Sequence, residues 1–343
     1  MAVKFKKIAE SPNPYPRLNL LHAQALKIVL AVYVFAATAL IILVPLRMFV
    51  VNNNLNWWIK LPPNKSQVSS LLDQHWVDNL RRQDIGAANY RLLLAGYCVF
   101  VVGIGILAVL QLQKVVEVDT RRKVFHGVMV AMLLPTIPMD PVFFALALII
   151  VLAVFLMLDL FRASQLPPIS RPLTNFLAPY VDGRDHRGPV IVSHIFLLIG
   201  CAIPLWLSLA DIQQTEDAVS EGWEVSYRNL SMVSGVICVG MGDAAASLVG
   251  RRYGRTKWYW GGGKSLEGSA AFAIAVWVGL MASWLWLRAG GWVEFNAREV
   301  PGAMWKALAA GTGASIMEST LTAANDNVVV PIGLWLLVRG LQL

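Results

Sequence analysis

The segment 141–158 reads PVFFALALIIVLAVFLML, eighteen consecutive residues without a charged or hydrogen-bonding side chain. A helix of about 20 apolar residues spans the hydrocarbon core of a bilayer, and a helix satisfies its backbone hydrogen bonds internally. The whole chain shares this character, because its 343 residues are 57% hydrophobic and only 15% charged, with a mean hydropathy of +0.57. The sequence therefore predicts an all-α, polytopic integral membrane protein.

Other apolar runs of spanning or near-spanning length flank this segment on both sides. With it, they lie at about 25–50, 92–113, 124–138, 141–160, 190–209, 230–249, 269–288, 303–323 and 327–343. One run is short and two carry polar residues, so we expect about eight to nine transmembrane helices. No small-residue cleavage site follows the first run, which predicts a retained span and not a signal peptide.

The net charge of +8 comes from basic residues in short loops between the apolar runs, a pattern typical of membrane topology and not of nucleic-acid binding. If the N-terminus is cytoplasmic, the basic loops after the second, fourth and sixth spans share its side. The acidic loop 210–229 then faces the opposite compartment, as does the long loop 51–91, although that loop is basic. The sequons Asn64-Lys65-Ser66 and Asn229-Leu230-Ser231 share this opposite face and are candidate glycosylation sites.

The segment 239–269 carries the most informative polar residues of the chain. Asp243 ends or interrupts an apolar helix, and a glycine-rich basic loop with Lys264 and Glu267 follows. Glycines allow backbone N–H groups to approach phosphate oxygens, Lys264 supplies positive charge, and Asp243 is a suitable ligand for a divalent cation. Close helix packing accounts for the small residues but not for these three charges. No strand precedes Gly263-Lys264-Ser265, so we reject a P-loop fold.

Two further places carry polar residues near helix ends. Glu318 precedes the turn Asn325-Asp326-Asn327, which the predicted topology places on the same side as the glycine-rich loop. Asp326 is either a cation ligand, a group that orients a hydroxyl, or part of an ordinary turn. His126 and His194 lie about a turn inside their helices, where catalysis and simple interhelical hydrogen bonding are both open.

Five short polar blocks follow one another through residues 120–340. They are Arg122-Lys123-x-x-His126, Asp182-x-Arg184-Asp185-x-x-Gly188-Pro189 running into Ser193-His194-Ile195, Gly242-Asp243-x-x-Ala246-Ser247, Lys264-Ser265-x-Glu267-Gly268, and Glu318 with Asp326-Asn327. In this order and on this hydropathy pattern, they resemble the blocks of the dolichol kinases, within the wider polyprenol and phytol kinase group. Members of that family generally carry additional N-terminal spans and often have a basic residue where Gly263 stands.

The resemblance implies an endoplasmic reticulum enzyme that transfers the γ-phosphate of CTP to the hydroxyl of dolichol with a divalent cation, Mg²⁺ or Ca²⁺. Its product, dolichyl phosphate, feeds protein glycosylation, and the active site faces the cytoplasm. We then expect a catalytic domain at 120–343, after an N-terminal region, 1–119, with two transmembrane helices and a long luminal loop. The implied partners are dolichol, the nucleotide and the bilayer, with no nucleic acid.

Each expected role is assigned to residues of the matching blocks. The expected catalytic residues are Asp243, Lys264 and Asp326. The expected cation ligands are Asp243, Asp326 and Glu267, the last of which either binds a second cation or fixes the loop. The expected nucleotide-binding residues are Gly242, Arg251, Gly262, Gly263, Lys264, Ser265, Glu267 and Gly268. The expected residues for the lipid substrate or its phosphate are Arg122, His126, Arg184 and His194.

Two other functions remain open on the residues alone. A cytidylyltransferase resembling CDP-diacylglycerol synthase also pairs an aspartate-bearing helix with a lysine and glutamate loop, but it releases pyrophosphate and not CDP. A transporter would use Asp243, Glu318 and Asp326 to line a permeation path. That function predicts polar residues near the middle of the bilayer and paired broken helices in two halves of the chain, and no internal repeat is visible.

Overall fold

The architecture is helical throughout the part of the chain that the computed structural model describes. That part comprises residues 29, 32, 86–112, 118–163, 172–174, 193–210, 225, 228–260, 262–321 and 325–343. Its main helices are α1 (Ala87–Leu112), α2 (Val118–Thr136), α3 (Pro141–Ala163), α4 (Ser193–Ala210), α5 (Leu230–Tyr253), α6 (Leu266–Ala289), α7 (Val300–Thr320) and α8 (Asp326–Gly340). Among these residues the only β pairing is one isolated bridge, so the predicted all-α class is confirmed.

Within the described residues, four helices are long and apolar enough to cross a membrane: Asn89–Leu112 of α1, Pro141–Arg162 of α3, α5 and α6. Leu92 and Val99 of α1 are each 72% exposed, which suits lipid tails as the surrounding solvent. The predicted membrane protein is therefore confirmed. The predicted runs from 92 onward coincide with helices to within a few residues, whereas nearly all of the run at 25–50 lies outside the described residues. The number of spans stays a prediction.

The chain separates into two compact units, Met1–Lys60 with Ile149–Ile195, and Leu61–Leu148 with Phe196–Leu343. In the first unit, Arg162 Nη2 lies 2.7 Å from Asp159 Oδ1 one turn earlier, so the two charges near the end of α3 neutralise each other. The second unit contains the candidate site. The predicted domain division after residue 119 stays a prediction.

Helix α6 lies at the centre of the second unit and packs against both α5 and α7. Glycines permit the closest approaches. A Cβ atom at Gly279 would lie 2.7 Å from Ile237 Cγ2 of α5, and one at Gly311 of α7 would lie 2.8 Å from the carbonyl oxygen of Ala273. Because lipid tails are as apolar as the side chains, such close backbone packing holds membrane helices together.

A buried ion pair joins α1 to the turn between α2 and α3. Arg91 Nε donates to Asp140 Oδ2 at 2.8 Å, and Asp140 Oδ1 accepts from the backbone N–H of Phe143, which caps the start of α3. Arg228, also buried, donates from Nε to the carbonyl oxygen of Pro138 in the same turn. These contacts hold the turn between α2 and α3 against α1 and against the residues that precede α5.

Replacing Asp140 with asparagine is expected to destabilise the fold by about 3 kcal/mol, because it removes the buried carboxylate that Arg91 contacts. The asparagine side chain retains an oxygen to cap α3, so the loss reports the charge. The measurement is the midpoint of thermal unfolding in detergent, with Glu294→Gln at an exposed position as the control. Equal midpoints for the two variants would contradict the structural role of the pair.

Asn229, the first residue of the second sequon, caps the start of α5. Asn229 Oδ1 accepts from the backbone N–H of Met232 at 3.2 Å and from Ser231 Oγ at 2.6 Å. The hydroxyl of Ser231 also lies 2.9 Å from that of Ser208, and Ser231 is buried. Asn229 is therefore the N-cap of the first turn of α5, and its use as a glycosylation acceptor stays a prediction. The sequon at Asn64 lies outside the described residues.

Candidate active site

The second half of α5, the start of α6, the end of α7 and the start of α8 meet around a cleft of about 450 Å³. Three cationic side chains and three carboxylates line it. They are Arg251, Lys257 and Lys264, and Asp243, Glu318 and Asp326. All three cations lie in the segment 251–264, whereas the carboxylates come from three helices. The cleft is suited to bind an anion beside a cation.

Lys264 is held between two carboxylates of the cleft. Its Nζ atom lies 2.8 Å from Glu318 Oε1 and 3.3 Å from Asp326 Oδ2, and it also donates to the backbone carbonyl of Glu318. The glycine-rich loop, which the sequence placed on the same side as the turn at 325–327, therefore contacts the start of α8 through Lys264. Asp326 lies in the first turn of α8, at the positive end of the helix dipole, which favours an acidic side chain there.

Asp243 forms the second charged group of the cleft. Its Oδ2 atom accepts from Lys123 Nζ at 2.7 Å and lies 3.2 Å from His126 Nε2, and both partners belong to α2. Within the described part of the chain, Oδ1 of Asp243 makes no hydrogen bond, and the side chain is 32% exposed toward the cleft that it lines. One oxygen is thus fixed by the protein, and the other is open to a ligand.

Asp243 is the last residue of a π-helical stretch, Ile237–Asp243, that interrupts the α-helical hydrogen bonds of α5. The sequence predicted that an acidic residue ends or interrupts an apolar helix here, and the structure shows an interruption. A π-helix widens the backbone by one residue per turn and is frequent at functional sites. In this chain the π-helical stretch ends at the carboxylate that lines the cleft.

Residues 254–265, which we call the glycine loop, connect α5 to α6. Lys257 and Ser265 form an antiparallel bridge, Trp258 N–H donates to the Lys264 carbonyl at 3.1 Å, and Leu266 N–H donates to the Thr256 carbonyl at 2.9 Å. The turn between them needs glycine, because Gly262 and Gly263 have φ angles of 77° and 71°. This turn delivers Lys264 into the cleft.

Glu267 fixes the glycine loop. Its Oε1 atom accepts from the backbone N–H groups of Arg255 at 3.2 Å and Thr256 at 3.1 Å, and Thr256 N–H also lies 3.3 Å from Oε2. The sequence left two roles open for this residue, a cation ligand or a support for the loop. The geometry favours the support.

The remaining predicted nucleotide-binding residues divide between the cleft and the packing around it. Ser265 Oγ caps α6 by accepting from the N–H of Gly268 at 3.2 Å, and a Cβ atom at Gly268 would lie 3.2 Å from Gly250 Cα of α5. Arg251 lines the cleft and donates to Ser247 Oγ at 2.6 Å. Gly242 is buried, and a Cβ atom there would lie 2.8 Å from the ring of Phe272, so this glycine serves helix packing.

The predicted lipid and phosphate contacts are only partly placed. His126 lies at Asp243, as described above. Arg122 and His194 lie within α2 and α4, but their side chains are outside the described part of the structure, as is the whole of Arg184. Lys123 was not among the predicted site residues. Its spacing of three residues from His126, which puts both on one face of α2, is the signal that identifies it.

Among the described residues, no group of three or more His, Cys, Asp or Glu side chains converges to hold a metal ion. Asp243 and Asp326 nevertheless line one cleft with three cationic side chains. Mg²⁺ is usually bound through one or two carboxylates together with substrate phosphates and water. The donor set therefore fits a cation that arrives with a phosphate ligand better than a cage built by the protein alone.

The chain is similar in sequence to dolichol kinases of several organisms. The chain is 35% identical over 222 residues to dolichol kinase sec59 of Schizosaccharomyces pombe, an alignment covering 65% of this chain and 39% of that protein. It is 34% identical over 217 residues to dolichol kinase EVAN of Arabidopsis thaliana, covering 62% and 33% of the two chains. With the dolichol kinase of Homo sapiens it shares 35% identity over 154 residues, covering 45% and 27%.

The resemblance predicted from the five polar blocks is confirmed by these relatives. The chain spans about a quarter to two fifths of the length of the curated relatives named here. No family model matches the chain, and no solved structure matches it.

Proposed function

We propose that this chain, which is similar to dolichol kinases over 65% of its length, transfers the γ-phosphate of CTP to the terminal hydroxyl of dolichol. The observation that carries the proposal is the arrangement of Lys264 and Asp243. Lys264 extends from the glycine loop to Glu318 and Asp326, and Asp243 offers an open carboxylate oxygen in the same cleft. Phosphoryl transfer depends on such positioning and charge neutralisation more than on covalent chemistry by the protein.

The donor triphosphate lies along the cationic side of the cleft. Lys264, Lys257 and Arg251 line that side, and the glycine loop presents a backbone with no Cβ atoms at Gly262 and Gly263. Phosphate oxygens compete with the carboxylates of Glu318 and Asp326 for Lys264, so the ion pairs of the free protein keep this lysine oriented until the nucleotide binds. Asp243 and Asp326 would hold the divalent cation, which when bound neutralises charge on the triphosphate.

The acceptor hydroxyl approaches from the carboxylate side. Asp326 accepts or orients the hydroxyl proton, the oxygen of dolichol bonds to the γ-phosphorus, and the bond from that phosphorus to the β-phosphate oxygen breaks. CDP leaves, and the proton passes from Asp326 to solvent. The cleft is lined by α5 and α6, two helices long and apolar enough to cross a membrane, so the long hydrocarbon chain stays among the helices or in the bilayer while the hydroxyl reaches the cleft.

The cellular setting follows from the same proposal. An enzyme that makes dolichyl phosphate for protein glycosylation belongs in the endoplasmic reticulum membrane, with its nucleotide site on the cytoplasmic face where CTP is present. The basic loops flanking the predicted spans support that orientation.

The test is transfer of label to dolichol by the detergent-purified protein, supplied in parallel with CTP labelled at the γ- or the α-phosphate. The kinase proposal expects labelled dolichyl phosphate from γ-labelled CTP and labelled CDP from α-labelled CTP, with excess ATP competing poorly. Release of pyrophosphate and transfer of the α-label to a lipid would instead identify a cytidylyltransferase. Absence of any turnover with polyprenols or phospholipids would overturn both enzymatic assignments.

A further inference from the structure

The tip of the glycine loop is fastened to two helices by the indole rings of Trp258 and Trp260. Trp258 Nε1 donates to Ser269 Oγ of α6 at 2.9 Å, and Trp260 Nε1 donates to the carbonyl oxygen of Ser319 in α7, also at 2.9 Å. The two rings stack with their centroids 4.3 Å apart and their planes inclined by 16°. Each indole has a single N–H donor, so each ring is tied to one defined partner.

Trp260 contacts Ser319, the residue next to Glu318, which is the ion-pair partner of Lys264. Glu318 accepts from Lys264 through both its carboxylate and its backbone carbonyl. The backbone carbonyl of Ser319, the next residue, accepts from Trp260. Helix α7 ends at Thr320, and the last four carbonyls of a helix have no partner within it. Two of these carbonyls are satisfied by the glycine loop, so the loop caps the helix that orients its lysine.

We infer that Trp258 and Trp260 are positioning residues that hold the glycine loop closed and thereby keep Lys264 in the cleft. Glycine-rich backbone loses much conformational entropy when it is ordered, and the two indole hydrogen bonds offset that cost before any ligand arrives. Without them, ligand binding has to order the loop, which lowers affinity for the ligand. The inference rests on the proposed function only in assigning the CTP phosphates to this loop.

The neighbouring Tyr259 provides a matched control. It is 91% exposed, and its ring contacts the edge of Trp260 with centroids 4.6 Å apart. Trp260→Phe keeps an aromatic ring and removes the N–H donor, and Tyr259→Phe likewise keeps the ring and removes its hydroxyl group. Only the first change breaks a hydrogen bond to α7. Trp258→Phe, which removes the donor to Ser269, is the second test variant.

Hydrogen–deuterium exchange of the full chain in detergent measures closure of the loop directly. The backbone N–H of Trp258 donates to the carbonyl of Lys264, and that of Leu266 donates to the carbonyl of Thr256. Both hydrogen bonds break when the loop opens, so the exchange rates of these two N–H groups report its opening. In Trp260→Phe and Trp258→Phe we expect exchange about five- to tenfold faster at both amides, the scale of one lost hydrogen bond. Peptides from the middle of α6, and the Tyr259→Phe variant, should match the unmodified protein.

Steady-state kinetics supply the second readout. The tryptophan variants should raise KM for CTP about five- to tenfold, while kcat and KM for dolichol stay within twofold, because only the donor uses the glycine loop. Unchanged exchange at Trp258 and Leu266, or equal losses in kcat/KM for CTP and for dolichol, would overturn the inference. If the unmodified protein does not phosphorylate dolichol, the exchange measurement still decides whether the tryptophans hold the loop, and only the proposed function fails.

Discussion

Replacing Asp243 with asparagine is expected to lower kcat for dolichol phosphorylation by about a thousandfold, the scale of losing one preorganised charge in an active site. The substitution keeps the size and shape of the side chain but removes its negative charge. It thereby weakens the site for a phosphate-bound cation and leaves Lys123 and His126 without the carboxylate that both contact. The measurement is transfer of label from γ-labelled CTP at saturating substrates, over a range of Mg²⁺ concentrations.

The role of Lys123 makes this prediction sharper. If Lys123 acts through Asp243, Lys123→Met alone lowers activity, but the same change in the Asp243→Asn background has little further effect. Additive losses would show that Lys123 acts on the substrate independently. Thermal unfolding and size-exclusion profiles of each variant establish that the protein remains folded, and Glu294→Gln again serves as the exposed carboxylate control. Retention of full kcat by Asp243→Asn would contradict the catalytic role proposed for this residue.

The sequence predicted that Lys264 and Asp326 face the same side of the membrane, because this follows from alternation of the membrane spans. A lysine before one apolar helix and an aspartate before the last must face the same side if the intervening spans cross in turn. The contact of 3.3 Å between them agrees with that expectation, but alternation alone did not predict it. The helix positions were predictable for a similar reason, since uninterrupted apolar runs admit few other structures in lipid.

The partners of individual side chains were not predictable in this way. Lys123 and Asp243 lie 120 residues apart, and their contact depends on how α2 is rotated against α5, which hydropathy does not encode. Asp243 also sits at the end of a π-helical stretch, and a single added residue in the turn changes the direction of every later side chain. The aromatic residues Trp258 and Trp260 were not singled out, because aromatic residues near a membrane surface are ordinary interfacial composition.

The cleft can be understood as two groups of charges with separate supports. Asp243 is fixed by α2, whereas Lys264 is fixed by Glu318 and Asp326 and by the tryptophan attachments of its loop. In the free protein Lys123 offsets the charge of Asp243, and Lys264 offsets part of the charge of Glu318 and Asp326, which limits the cost of holding charges near lipid. The two groups are therefore separable in experiment, and Lys264 is the position where donor binding is tested most directly.

Replacing Lys264 with methionine is expected to lower kcat/KM for CTP by about a thousandfold, because the variant loses the loop's cationic contact with the triphosphate. Methionine retains the unbranched chain, so the change isolates the charge. It also leaves the carboxylates of Glu318 and Asp326 close together without the lysine that lies between them, which is expected to lower the midpoint of thermal unfolding. Initial rates at varied CTP and thermal unfolding in detergent measure the two effects.

A double variant separates stability from phosphate binding. Glu318→Gln removes one of the facing carboxylates, so the Lys264→Met, Glu318→Gln protein should recover most of the lost thermal stability but none of the lost kcat/KM. Lys306→Met is the matched control, since Lys306 lies on α7, is exposed and donates to the carbonyl of Gln342 outside the cleft. Recovery of activity in the double variant would mean that Lys264 only neutralises Glu318, and the triphosphate would then have to be bound by Arg251 and Lys257.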